Sequence, residues 1–242
     1  MSSTISTPTA VASSAAATRL DLWRAVEAQH RVSTMALVDT VAEQEILESL
    51  LDASKPPLPT GSEALHWLLF TPFRYPPPPK GSRFRGPADP GVFYGADHIR
   101  TACAELGYWR WRFLCDSPAL ETIDAMPQTL FRVAVTGLTI DLRAPPFDAD
   151  RERWIDPASY KATQSIAVAA RAAGIDIIRY ESVRDTEHGG CGAVLSVRAF
   201  ADRQPLETQT WWLALSRERV TWKRQDPLLP MSFEFEARAF AQ

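Results

Sequence analysis

Between residues 20 and 51 the apolar positions recur at steps of three and four: Leu20 and Trp23, then Met35, Val38 and Val41, then Ile46, Leu47, Leu50 and Leu51. That spacing places apolar side chains on one stripe of an α-helix, and it predicts one long helix or a helical hairpin. Pro56 and Pro57, which lack the N–H a helix needs, end it. An apolar segment at 65–73 runs into four prolines at 76–79, read as a rigid loop in preference to a polyproline ligand. Residues 91–95 predict a short strand. Residues 97–115 predict a helix with Asp97 as N-cap and Ala102, Leu106, Trp109 and Phe113 facing inward. The alternation over 130–142 predicts a strand. Asp156 and Pro157 suit the opening of a helix that closes at Gly174 in the C′ position. Further strands are predicted at 175–180, 193–197, 211–215 and 219–222. Strands gathered late in the chain, with no internal repeat, give an α+β domain and not a doubly wound parallel sheet. The segments expected are a disordered Ser/Thr/Ala-rich tail at 1–18, a helical extension at 19–55 packed on the main domain, and the domain itself at 56–242.

Composition narrows the function. The chain has 242 residues, 45% of them hydrophobic, which is enough for a substantial core. The formal net charge is −3, and no segment concentrates Lys and Arg strongly, so nucleic acid is not the expected partner. The modest basic cluster between Arg74 and Arg85 suits a small anion better. Cys103, Cys115 and Cys191 are an odd number without metal-ligand spacing, which argues against a disulfide framework or a zinc site and for a cytoplasmic protein. His30, His66, His98 and His188 form no ligand motif, so no metal is expected. No apolar run approaches the roughly 20 residues of a membrane helix.

Two familiar patterns fail on inspection. Gly190-Cys191-Gly192 lacks the third glycine of a dinucleotide fingerprint and leads into a strand where a helix is required. Ser182, in Glu181-Ser182-Val183-Arg184, is not in a nucleophile elbow. What remains is a constellation: Arg74-Tyr75 before the proline turn, Arg83 after it, Tyr94 eleven residues later, and Glu105 eleven beyond that in a stretch of small and apolar residues. Taken one at a time, each residue has an ordinary structural explanation, and pattern alone leaves the functional and ordinary readings evenly matched.

The stretches Thr71-Pro72-Phe73-Arg74-Tyr75, Gly81-Ser82-Arg83-Phe84-Arg85, Gly91-Val92-Phe93-Tyr94-Gly95-Ala96, residues 102–105 and Tyr180-Glu181-Ser182-Val183-Arg184-Asp185 resemble the RES domain family in order and spacing. Residues 22–30 also resemble the N-terminal extension of a longer subgroup; the compact members lack such a segment. The resemblance implies a fold similar to ADP-ribosyltransferases of the diphtheria-toxin type. It implies NAD as substrate, with cleavage of the nicotinamide–ribose bond and inorganic phosphate or water as acceptor. Protein ADP-ribosylation and a non-catalytic domain that binds NAD or a partner stay open as alternatives. A helix-turn-helix (Xre-type) antitoxin is the implied protein partner, and self-association is left open. By residue, the resemblance implies that Glu105 stabilises the oxocarbenium-like ribose, that Arg74 and Arg83 hold phosphate, and that Tyr94 stacks on nicotinamide. Tyr75 would line the nucleotide site, and Ser182 would donate to the ligand without acting as nucleophile.

Overall fold

The sheet begins earlier in the chain than its apolar spacing suggests. In the computed structural model, which describes residues 7–28 and 38–240, Ala16–Glu27 is a strand of 12 residues, β1. The helix expected from residue 20 is therefore corrected over this stretch. Leu20, Leu22 and Val26 alternate into one apolar cluster with Phe93, Phe131, Val133 and Val135. Trp23 and Ala25 pack into two other clusters. A segment covered on both faces needs a period of two, and that outweighs the partial helical match. The expected disordered tail is corrected as well. Pro8–Ser13 forms a short helix, α1, capped by the Thr7 hydroxyl, which accepts from the Ala10 N–H at 3.3 Å, and its Val11 is fully buried. Residues 1–6 lie outside the described residues, as does Met35.

The predicted helix survives as α2, Val41–Ser54. Then follow α3 Trp67–Arg74, β2 Phe93–Ala96, α4 Ile99–Cys115, β3 Thr122–Asp141, the single turn α5 Arg151–Trp154, α6 Lys161–Ala172, β4 Ile177–Glu181 and β5 Gly190–Val194. The chain ends on β6 Glu207–Ser216, β7 Arg219–Arg224, β8 Ser232–Glu236 and α7 Ala237–Phe240. This is the α+β class that the order of elements predicts. α6 ends where Gly174 was expected to stop it: φ there is +71°. The N–H groups of Gly174 and Ile175 return to the carbonyls of Arg171 and Ala170, the double closure that favours glycine at C′. The start of α6 moves, since Asp156 caps a turn at Ala158 and Ser159 ahead of the helix.

The eight strands run β1-β2-β5-β4-β3-β6-β7-β8 in space, and β1 also pairs with β3. β3 is 20 residues long and makes this possible. One of its edges carries β1 antiparallel from Gln128 to Thr139. The other carries β6 over its first half and β4, parallel, over Thr139–Asp141. Strands β1, β2, β5, β4 and β3 thus close on themselves, and the segment 19–55, expected as a helical extension packed on the main domain, begins with a strand that forms a wall of that domain. Gly95 and Gly192 let β2 and β5 lie against Leu22, since a Cβ at either position would sit 2.8 Å from that side chain. The Gly190-Cys191-Gly192 run is therefore strand packing.

α4 lies close on β7, with Gly107 against Val220 and Trp222. Its buried positions include Thr101, Ala102, Cys103, Ala104 and Leu114. Trp109 and Phe113, expected inward, are 52% and 57% exposed, because small residues set the contact face. Asp97 does not cap this helix. It pairs with Arg179 and lies 3.7 Å from Arg143, and His98 takes the N-cap position.

Candidate active site

β1 and β2 meet at a single pair, Trp23 opposite Ala96, and then part. A cavity of about 360 Å³ occupies the split, walled by residues 23–25 of β1, 94–96 of β2, the first turns of α4, the loop at 81–83 and the turn after β4. Its volume is at the lower end of the range for small-molecule sites, suited to one end of a dinucleotide. Among the described residues lining it are three arginines, Arg24, Arg83 and Arg184, and one carboxylate, Glu105. Five aromatic side chains, Trp23, Tyr94, Trp109, Tyr160 and Tyr180, make up much of the remaining wall. A cationic, aromatic cavity in a chain of net charge −3 is a local choice of the fold.

Glu105 is held from one side. The Ser182 hydroxyl is fully buried and accepts the N–H groups of Arg184 and Asp185 at 3.2 and 3.0 Å. With its lone pairs taken, its proton goes to Glu105 Oε1, 2.6 Å away. Burial raises the Glu105 pKa above the usual carboxylate range. The Ser182 hydrogen bond, Arg83 and Arg184 pull the other way, and Asp185 adds to the rise. A half-buried acid that lines a cavity with one oxygen tied is suited to act on positive charge developing in a ligand.

The arginines arrive by separate routes. Arg83 is buried; its Nη1 donates to the carbonyls of Trp154 and Asp156 at 3.0 and 3.2 Å, and its guanidinium lies 4.9 Å over the Tyr160 ring. Its loop is braced by α6, since the Gln164 amide donates to the carbonyls of Lys80, Ser82 and Arg85 at 3.1–3.3 Å. The Tyr94 hydroxyl, bonded to Ser82 Oγ at 2.8 Å and accepting from the Phe84 N–H at 2.9 Å, steadies the same loop. Arg184 stacks 3.7 Å over Tyr108 and donates to the Pro157 carbonyl. Arg24 crosses the split between β1 and β2 and donates to the Tyr94 carbonyl at 2.7 Å. Its Nε is buried without a partner, and burial lowers its pKa to about 10, which leaves it charged at neutral pH. Among the described residues no carboxylate pairs with it. The guanidinium is partly buried, 5.0 Å over the Phe93 ring, and without an anionic partner it would be stabilised by an anion in the cavity.

Of the residues singled out from sequence, Arg83, Tyr94 and Glu105 come together around the cavity. Ser182, expected to donate to the ligand, stands behind Glu105 and does not line the cavity; here its hydroxyl donates to the acid. Arg74 and Tyr75 do not reach the cavity. Arg74 Nε donates to the Pro56 carbonyl at 2.6 Å, and both residues line a separate shallow groove beside Pro59 and Arg85. Arg24 and Arg184 were missed, along with Tyr180. An arginine among Leu20, Leu22, Trp23 and Val26 was the available signal, because a guanidinium in an apolar strand calls for a partner.

Among the described residues no cluster of three or more His, Cys, Asp or Glu could hold a metal, and no helix is long and apolar enough to cross a membrane. All three cysteines are free, with Cys103 and Cys191 buried.

Comparison with known proteins finds a family profile and solved structures that resemble this chain. The profile of the family described as RES domain matches residues 58–216. Among solved structures, a chain in the crystal structure of the M. tuberculosis MbcT-MbcA toxin-antitoxin complex is similar over 94% of this chain and 90% of that one, at 12% identity and a TM-score of 0.45. No curated protein matches.

Proposed function

Because the chain belongs to the RES domain family, whose profile spans residues 58–216, we propose that its cavity binds NAD and breaks the nicotinamide–ribose bond, with phosphate or water as acceptor. The observation that supports this most is the pairing of one oriented carboxylate, Glu105, with three guanidinium groups inside an aromatic-walled cavity. Loss of nicotinamide leaves oxocarbenium-like charge on the ribose, and a fixed carboxylate next to it stabilises the transition state more than the ground state. Arg24, Arg83 and Arg184 suit the pyrophosphate or an acceptor phosphate, because a planar fork of donors matches phosphate oxygens. Aromatic faces suit a planar ring and keep bulk water away.

Nicotinamide release from NAD by the purified chain, with and without inorganic phosphate, tests the reading. Release that rises with phosphate supports phosphorolysis, and phosphate-independent release supports hydrolysis. Label from NAD appearing on protein would point to ADP-ribosyl transfer, and binding without turnover would sink the enzymatic reading. In the toxin–antitoxin setting that the family suggests, the partner would be a small helix-turn-helix protein encoded beside this chain, and co-expression followed by co-purification tests for it.

Arg24 supports a more local expectation. Arg24→Met keeps the stem and removes the charge, and it should weaken NAD or phosphate binding about 10- to 100-fold, from hydrogen bonds to charged groups worth roughly 1.5–3 kcal/mol. Titration of the variant with each ligand reads this directly. Unchanged affinity for both would remove Arg24 from the binding site.

A further inference from the structure

Thr101, Glu105 and Tyr108 lie at steps of four and three along α4 and so share one face of the helix. A single four-residue turn after β4 engages all three. Asp185 Oδ2 accepts from Thr101 Oγ1 at 2.7 Å, Ser182 Oγ donates to Glu105, and the Arg184 guanidinium stacks on Tyr108. The turn is also closed on itself, since the Asp185 N–H donates to Ser182 Oγ at 3.0 Å. Asp185 is almost wholly buried. Its other oxygen pairs with Arg100 and accepts the Glu187 N–H at 3.1 Å. Gly189 fits under Thr101 only because it has no Cβ.

We propose that Thr101 and Asp185 are positioning residues, which clamp the Ser182–Asp185 turn to α4 and thereby fix where the Glu105 carboxylate points. The inference rests on the reading of Glu105 as the group that acts on the ligand. Of the three side-chain bonds that join the turn to the helix, the Glu105–Ser182 bond forms part of the site, and the other two, from Thr101 and Arg100, both end on Asp185 one turn of α4 away. Thr101, Arg100 and Asp185 do not line the cavity, and their bonds carry the alignment, with the buried Thr101–Asp185 bond as the uncharged part of the clamp. A displacement of about 1 Å in a reacting group can cost roughly 100-fold in rate, so a clamp of this kind has kinetic weight.

The charged and titratable groups facing Glu105 are Arg83 from the loop, Arg184 and Asp185 from the turn, Tyr180 from β4 and Cys191 from β5. Two substitutions act on them in opposite senses. Thr101→Val removes the buried hydrogen bond of the clamp and leaves every charge, including the Arg100–Asp185 pair, in place. The turn then holds Ser182 less well, Glu105 loses part of a bond that favours its anion, and its titration moves to higher pH. Asp185→Asn keeps an acceptor for Thr101, removes a negative charge that repels the Glu105 anion and releases the Arg100 guanidinium from its ion pair, so the titration moves to lower pH.

The experiment follows the Glu105 titration by NMR in the full-length chain carrying carboxyl-labelled glutamate, alongside the pH profile of nicotinamide release. Expected are a rise in midpoint with a 10- to 100-fold loss of kcat and little change in KM for Thr101→Val, a fall in midpoint for Asp185→Asn, and recovery by Thr101→Ser. Equal loss of kcat and folded protein in both variants, with no change in the Glu105 midpoint, would overturn the proposal. Opposite NMR shifts in a chain that never cleaves NAD would leave the clamp standing and remove the NAD reading instead.

Discussion

Glu105→Gln should reduce nicotinamide release about 10²–10³-fold, or roughly 3–4 kcal/mol of transition-state stabilisation, while the chain stays folded and NAD affinity changes little. The amide keeps the shape and still accepts from Ser182, so only the charge is lost. The same variant should be at least as stable as the parent at neutral pH. Burial raises the Glu105 pKa, so the folded chain holds this proton at pH values where the unfolded chain has released it. Stability therefore falls as pH rises from the unfolded to the folded pKa, and the full cost of the buried anion is present above both. Glutamine removes that cost. Thermal melts across pH should show the variant matching the parent in acid and equalling or exceeding it near neutrality. The activity of the parent should fall on the acid side at a pH above the ordinary glutamate range, because the reaction needs the anion. Full turnover by Glu105→Gln would remove the carboxylate from the mechanism.

The second large effect concerns the N-terminus. A chain that begins at residue 56, close to where the family profile starts, should fail to fold into a soluble, cooperatively melting domain. It would lose the β1 ladder along β3, the buried Leu22 side chain that covers Gly95 and Gly192, and the Trp23 and Arg24 walls of the cavity. Leu22→Ala alone should cost about 2–5 kcal/mol from lost burial and the hole it leaves. Circular dichroism and chemical denaturation of the truncated chain, compared with one that begins at residue 7, are the measurement. A stable domain from residue 56 onward would make β1 an accessory strand.

How far the sequence reaches depends on where each contact is decided. Arg83, Tyr94 and Glu105 were legible because they lie on a loop, a strand and a helix that follow one another directly and face one cavity. Gly174 was legible because the φ it must adopt favours one residue type. β1 was not, because Leu20 and Trp23 also fit a helical step and the pairing that settles the matter lies more than a hundred residues away on β3. That misreading hid Arg24. Arg74 looked right by its position near the prolines, yet a backbone carbonyl of residue 56 claims its guanidinium, a contact that local sequence does not specify. Ser182 was expected to donate to the ligand, and the structure places it behind Glu105, outside the cavity lining. Only the two N–H groups that fill its acceptor capacity settle where its proton goes.

The closure of β1 onto β3 bears on how the chain behaves in a crowded solution. A β-sheet ordinarily has two raw margins, each a template on which another chain can grow. Pairing with β3 engages one edge of β1, and the far end of the strand order, among the described residues, is β8. That last strand turns Phe233 and Phe235 toward the core and sets Ser232, Glu234 and Glu236 outward. A neighbour approaching in register would have to bury its own backbone beside Glu234 and Glu236, both of which face Arg219. Resistance to sheet-on-sheet aggregation is thus concentrated in five residues near the C-terminus.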